Sequence, residues 1–331
     1  MTLDVTRFDW SRHYDPGVPG DLAIPPVCLT EFLDDSARRY PRRAALWTAT
    51  GALSYQQLLE EVRKFACCLA GIGVRPGDRV LVLLPNSLQA VVALYGTLWA
   101  GAIAVLTAPE TPPRLMERQL RDARPAVAVV PSPLPAQLED VLREAHVEHL
   151  ILSSGKEYTR YLRGWLRVAA RLAAGLPGRR FLRWRRLMRE ADENFARVMV
   201  DPSTPAVIEY TGGTTGSPRG VVLSHRALVA NATQLAAWDT RLQPGRERIL
   251  CALPFYHAYG LSAGLNLCLR VGGTLLLPEE PAPLPILETA ARFKPTLFPG
   301  VPMLYAALLM QPRLRSYGLS SIRACISGAA P

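Results

Sequence analysis

The sequence predicts an α/β fold, with layered α/β/α subdomains built on largely parallel sheets. Predicted helices and strands alternate along most of the 331 residues. The predicted strands are apolar throughout their length, as expected of parallel strands that helices cover on both faces. A composition of 49% hydrophobic and 20% charged residues is that of a globular protein rather than a disordered chain.

The first half of the chain follows this alternation closely. Residues 1–30 contain Pro and Gly and are predicted to form an extended lead-in. Helices are predicted over residues 31–39, 55–72, 88–100, 114–122 and 134–145, with Ser54 as the N-cap of the second. Strands are predicted over residues 44–47, 52–54, 80–84, 103–106, 126–130 and 149–152.

Residues 80–109 carry no charge and are numerous enough to suggest a membrane span. Because Pro85, Asn86, Gly96 and Gly101 interrupt this run, it is better explained as a buried strand–helix–strand unit. The N-terminus has no apolar signal core, and the six cysteines show no metal-ligand spacing. These features predict a cytoplasmic protein with free thiols.

Residues 156–190 interrupt the alternation and hold nine of the ten net positive charges of the chain. On a helical wheel the basic side chains from 156 to 171 fall within an arc of about 80°, opposite a wide apolar face. This arrangement is typical of a helix lying in the plane of an anionic membrane. The residues expected to contact the membrane are Arg160, Arg163, Trp165, Arg167 and Arg171.

An ordinary surface helix that packs its apolar face on the domain is the alternative for this segment. A second basic and aromatic cluster follows at residues 179–186. Because the charge is confined to one segment, it does not indicate a nucleic-acid-binding protein. If the membrane interpretation holds, the protein is peripheral on the inner membrane face.

The second half resumes the alternation at Asp201. Strands are predicted over residues 206–210, 221–223, 248–252, 274–277, 296–298 and 322–327. Helices are predicted over residues 225–238, 262–270, 286–292 and 301–310, with Ser224 capping the first of them. The chain is therefore divided into a first α/β lobe (1–155), a basic amphipathic insertion (156–200) and a second lobe (201–331).

The loop between the first two of these strands, residues 211–220, combines glycines, threonines and Arg219. Glycine lets a backbone approach a ligand closely, and successive N–H groups in a turn can bind an anion. The threonine hydroxyls add donors or ligands for a hard metal ion, and Arg219 adds a permanent positive charge. The loop is predicted to wrap a polyphosphate; a plain surface turn is the alternative.

The string Tyr-Thr-Gly-Gly-Thr-Thr-Gly-Ser-Pro-Arg-Gly-Val at 210–221 resembles the phosphate-loop signature of the acyl-adenylate-forming (AMP-binding) superfamily. The double glycine at 212–213 is similar to bacterial long-chain fatty acid–CoA ligases, which carry a comparable basic insertion before the loop. Residues 53–58, 98–102 and 117–122 also resemble that superfamily's N-terminal region. The resemblance implies an incomplete adenylate-forming N-terminal domain, with ATP, Mg²⁺ and coenzyme A as cofactor and co-substrates and a fatty acid as substrate.

The same resemblance implies the roles of individual residues. The ATP-binding residues are Thr211, Gly212, Gly213, Thr214, Thr215, Gly216, Arg219 and Gly328, with Thr214 also a metal ligand. Arg219 stands where the family usually has lysine, so its contact geometry with phosphate differs. His257, in a Leu-Pro-x-x-His motif, is implied as catalytic and, with Tyr256 and Gly300, as substrate-binding.

The segments around these residues also have simpler interpretations. Residues 298–302 could be no more than a turn before a helix. The segment 327–331 resembles the start of the adenine-binding segment, with Ala329 in place of its second glycine. The family's later elements, a metal-binding glutamate, a ribose-binding aspartate and a C-terminal domain with a catalytic lysine, do not occur in the sequence. We therefore expect an N-terminal part with weak or absent turnover, and a last strand that exposes its edge.

Two alternatives remain open at this point. One is a ligase for another carboxylate, such as an aryl or amino acid, or an enzyme that loads a carrier protein. The other is a non-catalytic remnant that binds membranes or acyl chains. For the fatty acid–CoA ligase interpretation, the expected partners are the small molecules fatty acid, ATP and coenzyme A, together with an anionic membrane surface and no nucleic acid. The sequence leaves the oligomeric state undetermined.

Overall fold

The computed structural model describes residues 10–49, 51–155, 157–158, 181–211 and 219–329, which form two β-sheets with packed helices. The strands are β1 (Ala44–Trp47), β2 (Ala52–Ser54), β3 (Arg79–Val82), β4 (Ile103–Leu106), β5 (Val127–Pro131), β6 (His149–Ser153), β7 (Phe181–Arg183), β8 (Pro205–Thr211), β9 (Arg219–Ser224), β10 (Arg248–Leu250), β11 (Thr274–Leu276), β12 (Leu297–Gly300) and β13 (Ala324–Ser327). The helices are α1 (Glu31–Arg39), α2 (Tyr55–Gly71), α3 (Leu88–Trp99), α4 (Pro113–Ala123), α5 (Ala136–Glu144), α6 (Trp184–Glu190), α7 (His225–Trp238), α8 (Leu267–Val271), α9 (Pro283–Phe293) and α10 (Pro302–Leu309).

Both sheets are largely parallel, which confirms the predicted fold class. In the described part of the chain, the larger sheet has the strand order β7-β6-β5-β3-β4-β8-β9, with β8 and β9 antiparallel. The smaller sheet has the order β13-β12-β10-β11-β1-β2, with β1 and β2 antiparallel. The largest core cluster draws residues from both sheets, so one hydrophobic core joins them.

Each sheet takes strands from both halves of the chain. The early strand β1 pairs in parallel with β11, where Leu46 is opposite Leu275. The late strand β8 pairs in parallel with β4, where Val207 is opposite Ala104. The sheets therefore do not follow the boundaries at 155 and 201, because sequence pattern marks the position of a strand but not its partner.

The uncharged run forms the predicted strand–helix–strand unit, with β3, α3 and β4. The two strands are parallel neighbours, and Val80 pairs with Ala104. All residues of α3 are buried. None of the helices in the described ranges has the length and apolar character needed to cross a membrane.

The helix predicted over residues 262–270 differs from the observed structure. A π-helix, Gly260–Asn266, precedes the short helix α8. A Cβ atom at residue 260 would lie 2.1 Å from the carbonyl oxygen of Pro254, so glycine allows the preceding loop to fold back on the helix. The hydrophobic periodicity of the sequence does not reveal such backbone packing, so the π-helix could not be predicted from it.

Within the basic segment, the described residues 181–190 form β7 and α6, which the sequence pattern did not predict. Trp184 is 2% exposed, and its ring stacks on Phe65 at a centroid distance of 4.9 Å. Trp184 of the second basic cluster therefore belongs to the core and is not available to a membrane. Residues 159–180, which include Arg160, Arg163, Trp165, Arg167 and Arg171, lie outside the described residues.

Candidate functional site

The predicted site segments all follow the carboxyl ends of parallel strands, the edge at which α/β sheets commonly bind ligands. The Gly/Thr loop follows β8, the histidine motif follows β10, Gly300 is the last residue of β12, and Gly328 follows β13. Asn86, which follows β3, joins the two sheets at this edge. Its amide donates to the carbonyl oxygen of Leu253 at 2.7 Å and accepts from the backbone N–H of Phe255 at 2.9 Å.

The β8–β9 hairpin positions the ends of the Gly/Thr loop. Thr211, the last residue of β8, pairs with Arg219, the first residue of β9, and Arg219 is exposed. The Tyr210 hydroxyl donates to Asp122 Oδ2 at 2.7 Å and approaches the carbonyl oxygen of Gln119 at 3.0 Å. These contacts fix the base of the loop on α4.

The loop itself contains seven of the eight predicted ATP-binding residues, and the structure describes two of the seven, Thr211 and Arg219. Gly212, Gly213, Thr214, Thr215 and Gly216 lie outside the described residues, so their roles stay predictions. The same applies to Thr214 as a metal ligand. Among the residues that the structure does describe, no group of three or more His, Cys, Asp or Glu is placed to hold a metal ion.

His257 lies in an exposed position on the loop after β10. Its ring contacts the Tyr256 ring edge-on, with centroids 4.9 Å apart. Burial raises the pKa of the Tyr256 hydroxyl, and the charge of Glu110 adds to the shift. Because Glu110 follows β4, the neighbour of β8, the histidine motif faces the part of the larger sheet that carries the hairpin.

Tyr259 links the histidine motif to the predicted adenine segment. Its hydroxyl donates to the carbonyl oxygen of Ile326 in β13 at 2.6 Å, and burial raises its pKa. The Tyr305 hydroxyl lies 2.9 Å from the same oxygen and 2.7 Å from that of Phe298. The histidine motif alone could not show that these two tyrosines bind β13, because the shared acceptor, the Ile326 carbonyl oxygen, is distant from both in sequence.

Gly300 and Gly328 meet at the ends of β12 and β13, where the Gly328 N–H lies 3.4 Å from the Gly300 carbonyl oxygen. A Cβ atom at residue 300 would lie 2.9 Å from the Tyr305 ring, so glycine permits this ring to pack. At residue 328 the nearest atom of the described residues to a Cβ would lie 3.9 Å away, in the Tyr259 ring, so these residues leave room for a ligand beside the backbone. Ala329 has a φ of 60°, a conformation that favours glycine.

Glu209 is a buried residue of this region that the sequence interpretation passed over. It is 5% exposed, and its Oε1 atom has no hydrogen-bond partner in the described part of the chain. Burial raises the pKa of its carboxyl group to about 7. A single Glu inside the apolar strand β8 is a visible signal, but the sequence cannot show that the carboxylate lacks a partner.

His225 has a structural environment, as expected of the residue that begins α7. Its Nδ1 atom accepts from the Leu29 N–H at 3.2 Å, and the ring is buried. Burial lowers its pKa to about 4, and the positive charge of Arg197 contributes. A separate cavity of about 340 Å³ is lined by residues that include Tyr40, Asp239 and Arg270, and none of the predicted site residues that the structure describes is among its lining.

Comparisons with known proteins agree with this arrangement. The profile of the AMP-binding enzyme family matches residues 33–331. The chain is 34% identical to a long-chain-fatty-acid–CoA ligase of Bacillus subtilis (strain 168), covering 97% of this chain and 58% of that protein. It is 28% identical to 4-coumarate–CoA ligase 2 of Petroselinum crispum, covering 86% of this chain and 48% of that protein.

Among solved structures, ATP-bound MatB from Rhodopseudomonas palustris superposes with a TM-score of 0.74 at 26% identity. The superposition covers 92% of this chain and 56% of that one. The chain thus spans less than two thirds of the length of each of these proteins.

Proposed function

The chain belongs to the AMP-binding enzyme family, and on this basis we propose that it takes part in the ATP-dependent activation of a carboxylic acid. A carboxylate oxygen of the acid would attack the α-phosphorus of ATP, forming acyl-AMP and releasing pyrophosphate. The thiol of coenzyme A would then replace AMP to give the thioester. Similarity to the Bacillus subtilis ligase and the basic segment before the loop support a long-chain fatty acid as the substrate.

One observation carries the proposal: segments distant in sequence meet at one edge of the two sheets. Asn86 holds the histidine motif against the larger sheet, and Tyr259 holds it against β13. Tyr259 therefore connects the residues proposed to receive the acid with those proposed to receive adenine. Adenylation needs such an arrangement, because the acid and the nucleotide must be held together for reaction.

The described residues fit a nucleotide at two places. The open backbone at Gly328 allows a flat base to approach the end of β13. Arg219, exposed at the start of β9, would supply positive charge to the phosphates as charge develops on the leaving pyrophosphate. On the acid side, His257 and Tyr256 would orient the carboxylate. Bound Mg²⁺ would neutralise phosphate charge; Thr214 is its proposed ligand.

Nucleotide binding by the 331-residue chain tests the phosphate role. In a titration with a fluorescent ATP analogue, Arg219→Ala should weaken binding about tenfold, since a charge-assisted contact is lost. Arg226→Ala is the matched control, because Arg226 is an exposed arginine on the first turn of α7. Equal affinity in Arg219→Ala and wild type would contradict the role given to Arg219.

Acid binding is tested separately from nucleotide binding. Hexadecanoic acid should bind more tightly than 4-coumaric acid, and His257→Ala should weaken acid binding without changing ATP affinity. His13→Ala, at another exposed histidine, is the control. Tighter binding of 4-coumaric acid would favour a ligase for aryl acids and contradict the fatty-acid assignment.

A specific contact pattern also favours membrane association of the segment between β6 and β7. The Tyr158 hydroxyl donates to Glu61 at 2.8 Å, and Trp184 stacks on Phe65, so both flanks of residues 159–180 are held on α2. Glu61 and Phe65 are four residues apart on that helix and so are separated by about 6 Å at Cβ. The described residues Tyr158 and Trp184, on either side of the segment, therefore contact the same helix, and we propose that the basic residues between them bind an anionic membrane.

Because its flanks are close, residues 159–180 can be replaced by a short Gly-Ser linker. The shortened chain should keep its Tm but lose sedimentation with vesicles rich in phosphatidylserine. In the full chain, Arg163→Gln with Arg167→Gln should weaken vesicle binding, and added salt should weaken it further. The control pair is Arg241→Gln with Arg246→Gln, exposed arginines elsewhere. Equal vesicle binding by the full and shortened chains would count against the membrane role.

A further inference from the structure

Glu209 carries the inference that extends furthest beyond the proposed reaction. It lies at the carboxyl end of β8, two residues before the Gly/Thr loop begins at Thr211. Its neighbours across the sheet are Leu106 in β4 and Val221 in β9. Residues paired directly across neighbouring strands point to the same face of a sheet, so Glu209 shares the face of Leu106.

That face looks toward the core shared by the two sheets. Leu106 belongs to the cluster that also contains Leu253 and Phe255, from the loop that leads to His257. The Glu209 side chain therefore lies on the sheet face that packs on this core. His257 and Tyr256, the residues proposed to orient the acid, belong to the loop that contributes Leu253 and Phe255 to the same core.

One oxygen of the Glu209 carboxyl group is buried without a hydrogen-bond partner among the described residues. Glu209 is only 5% exposed, and its Oε1 atom is the oxygen without a partner in the described part of the chain. Burial raises the pKa of this carboxyl group, and no charged side chain of the described residues adds to the shift. A buried polar atom without a partner destabilises the folded protein, so such atoms are rare outside functional positions.

We infer that Glu209 accepts a hydrogen bond from a hydroxyl or amino group on the acid substrate and thereby selects acids that carry such a donor. This inference rests on the proposed acid-activating function. A donor from the ligand would satisfy Oε1 where the protein does not. An unsubstituted acyl chain would leave it unpaired and would add apolar surface around it, so a site with this residue discriminates against plain chains.

Matched acids test the inference on the 331-residue chain. Isothermal titration would compare hexadecanoic acid with its 2-hydroxy, 12-hydroxy and 16-hydroxy derivatives. At least one hydroxy acid should bind the wild type about tenfold more tightly than hexadecanoic acid. Glu209→Leu should abolish that preference, and Glu209→Gln, which keeps an acceptor of the same shape, should retain part of it.

Stability gives a second readout that needs no ligand. Because Glu209→Leu replaces an unpartnered carboxyl by an apolar group, it should raise Tm by a few degrees. A lower Tm would mean that the carboxyl is a structural partner and would overturn the inference. Glu279→Gln, at an exposed glutamate, controls for the change in net charge and should leave Tm and the acid preference unchanged.

The outcomes separate the inference from the proposed function. If hexadecanoic acid and ATP bind but no hydroxy acid is preferred, the inference alone fails. A preference that survives in Glu209→Leu likewise overturns it. If neither ATP nor any of the acids binds, the proposed function fails and the inference fails with it.

Discussion

The helices α3 and α10 have similarly apolar sequences but opposite surroundings. Every residue of α3 is buried, whereas Leu308 is the only buried residue of α10. Met303 and Leu309 on α10 are 78% and 73% exposed. The helix α3 packs on α2 and on strands β3 and β4, while α10 packs on α9 beside the edge strand β13.

The difference shows that the apolar sequence of a helix does not by itself determine how much of the helix is buried. The burial depends on which other elements pack against it. The difference also divides the candidate site. Strand β8 of the hairpin pairs with β4, which packs on the buried helix α3. Gly328 follows β13, which is the edge strand of the smaller sheet in the described part of the chain, and fewer contacts oppose local opening there. We expect the nucleotide-base side of the site to be the less rigid of the two.

The largest expected effect separates the two helices directly. Leu94 in α3 is 1% exposed, so Leu94→Ala should reduce the free energy of unfolding by about 4 kcal/mol through lost burial and a cavity. The same change in α10, Leu309→Ala, should cost less than about 0.5 kcal/mol. Urea denaturation measures both. Similar losses in the two variants would mean that Leu309 is buried in solution, for instance by self-association.

Two glutamates, the buried Glu209 and the exposed Glu279, give a second comparison between a buried and an exposed position. The folded-state pKa of Glu209 is about 7, against an ordinary 4.5. Between these values the folded protein keeps a proton that the unfolded chain releases, so raising the pH lowers the free energy of unfolding, by up to about 3 kcal/mol. Glu209→Gln should therefore gain stability over wild type from pH 5 to pH 8. The exposed Glu279→Gln variant should show no such trend.

The free energy of unfolding must be compared between wild type and Glu209→Gln, because titration of His225 changes the stability of both with pH in the opposite direction. Its pKa is lowered to about 4 from 6.5, so its contribution to stability is lost as the pH falls through this window. Wild type alone would therefore show a compensated pH profile. A constant difference between wild type and Glu209→Gln from pH 5 to pH 8 would contradict the burial of an ionisable carboxyl at residue 209.

Local structure was the part of the fold that the sequence could predict. The bounds of α1, β1, β2 and β4 were predicted to the residue. The Ser54 cap is confirmed: its side chain accepts from the Gln57 N–H, and the Gln57 side chain accepts from the Ser54 N–H. These features depend on neighbours within four residues, so the information lies in short sequence windows.

Features that depend on distant contacts could not be predicted in the same way. The π-helix at Gly260–Asn266 exists because the loop before it packs on Gly260. The bridging role of Asn86 and the isolation of Glu209 appear only once the strands are assembled. The motif resemblance did select segments that meet at one edge, but the residues that bring them together, Asn86 and Tyr259, had no assigned role.

Tyr259→Phe tests the connection between the two regions. The substitution removes the hydroxyl that donates to the Ile326 carbonyl oxygen, a contact worth about 1 kcal/mol. If β13 carries the adenine side, the affinity for ATP should fall about fivefold while that for the acid is unchanged. Tyr14→Phe, at a tyrosine that contacts Trp238, is the control. A fall in acid affinity alone would place Tyr259 on the acid side instead.

The smallest expected effect concerns Ala329 at the exposed edge. Its φ of 60° is unfavourable for a residue with a Cβ atom, so Ala329→Gly should relieve about 1 kcal/mol of backbone strain. Glycine also gives the unfolded chain more freedom, which leaves a net gain of about 0.5 kcal/mol. Ala145→Gly is the matched control: Ala145 has a φ of −76°, so this substitution should only reduce the stability of the protein.

Hydrogen exchange measures the gain in Ala329→Gly. Since residue 329 follows an edge strand, the gain should appear as slower hydrogen exchange at residues 327–329 rather than as a higher Tm. Faster hydrogen exchange at residues 327–329 in Ala329→Gly would show that alanine adopts this conformation without strain. It would also show that the edge strand β13 is more rigid than the exposed surface of the neighbouring helix α10 suggests.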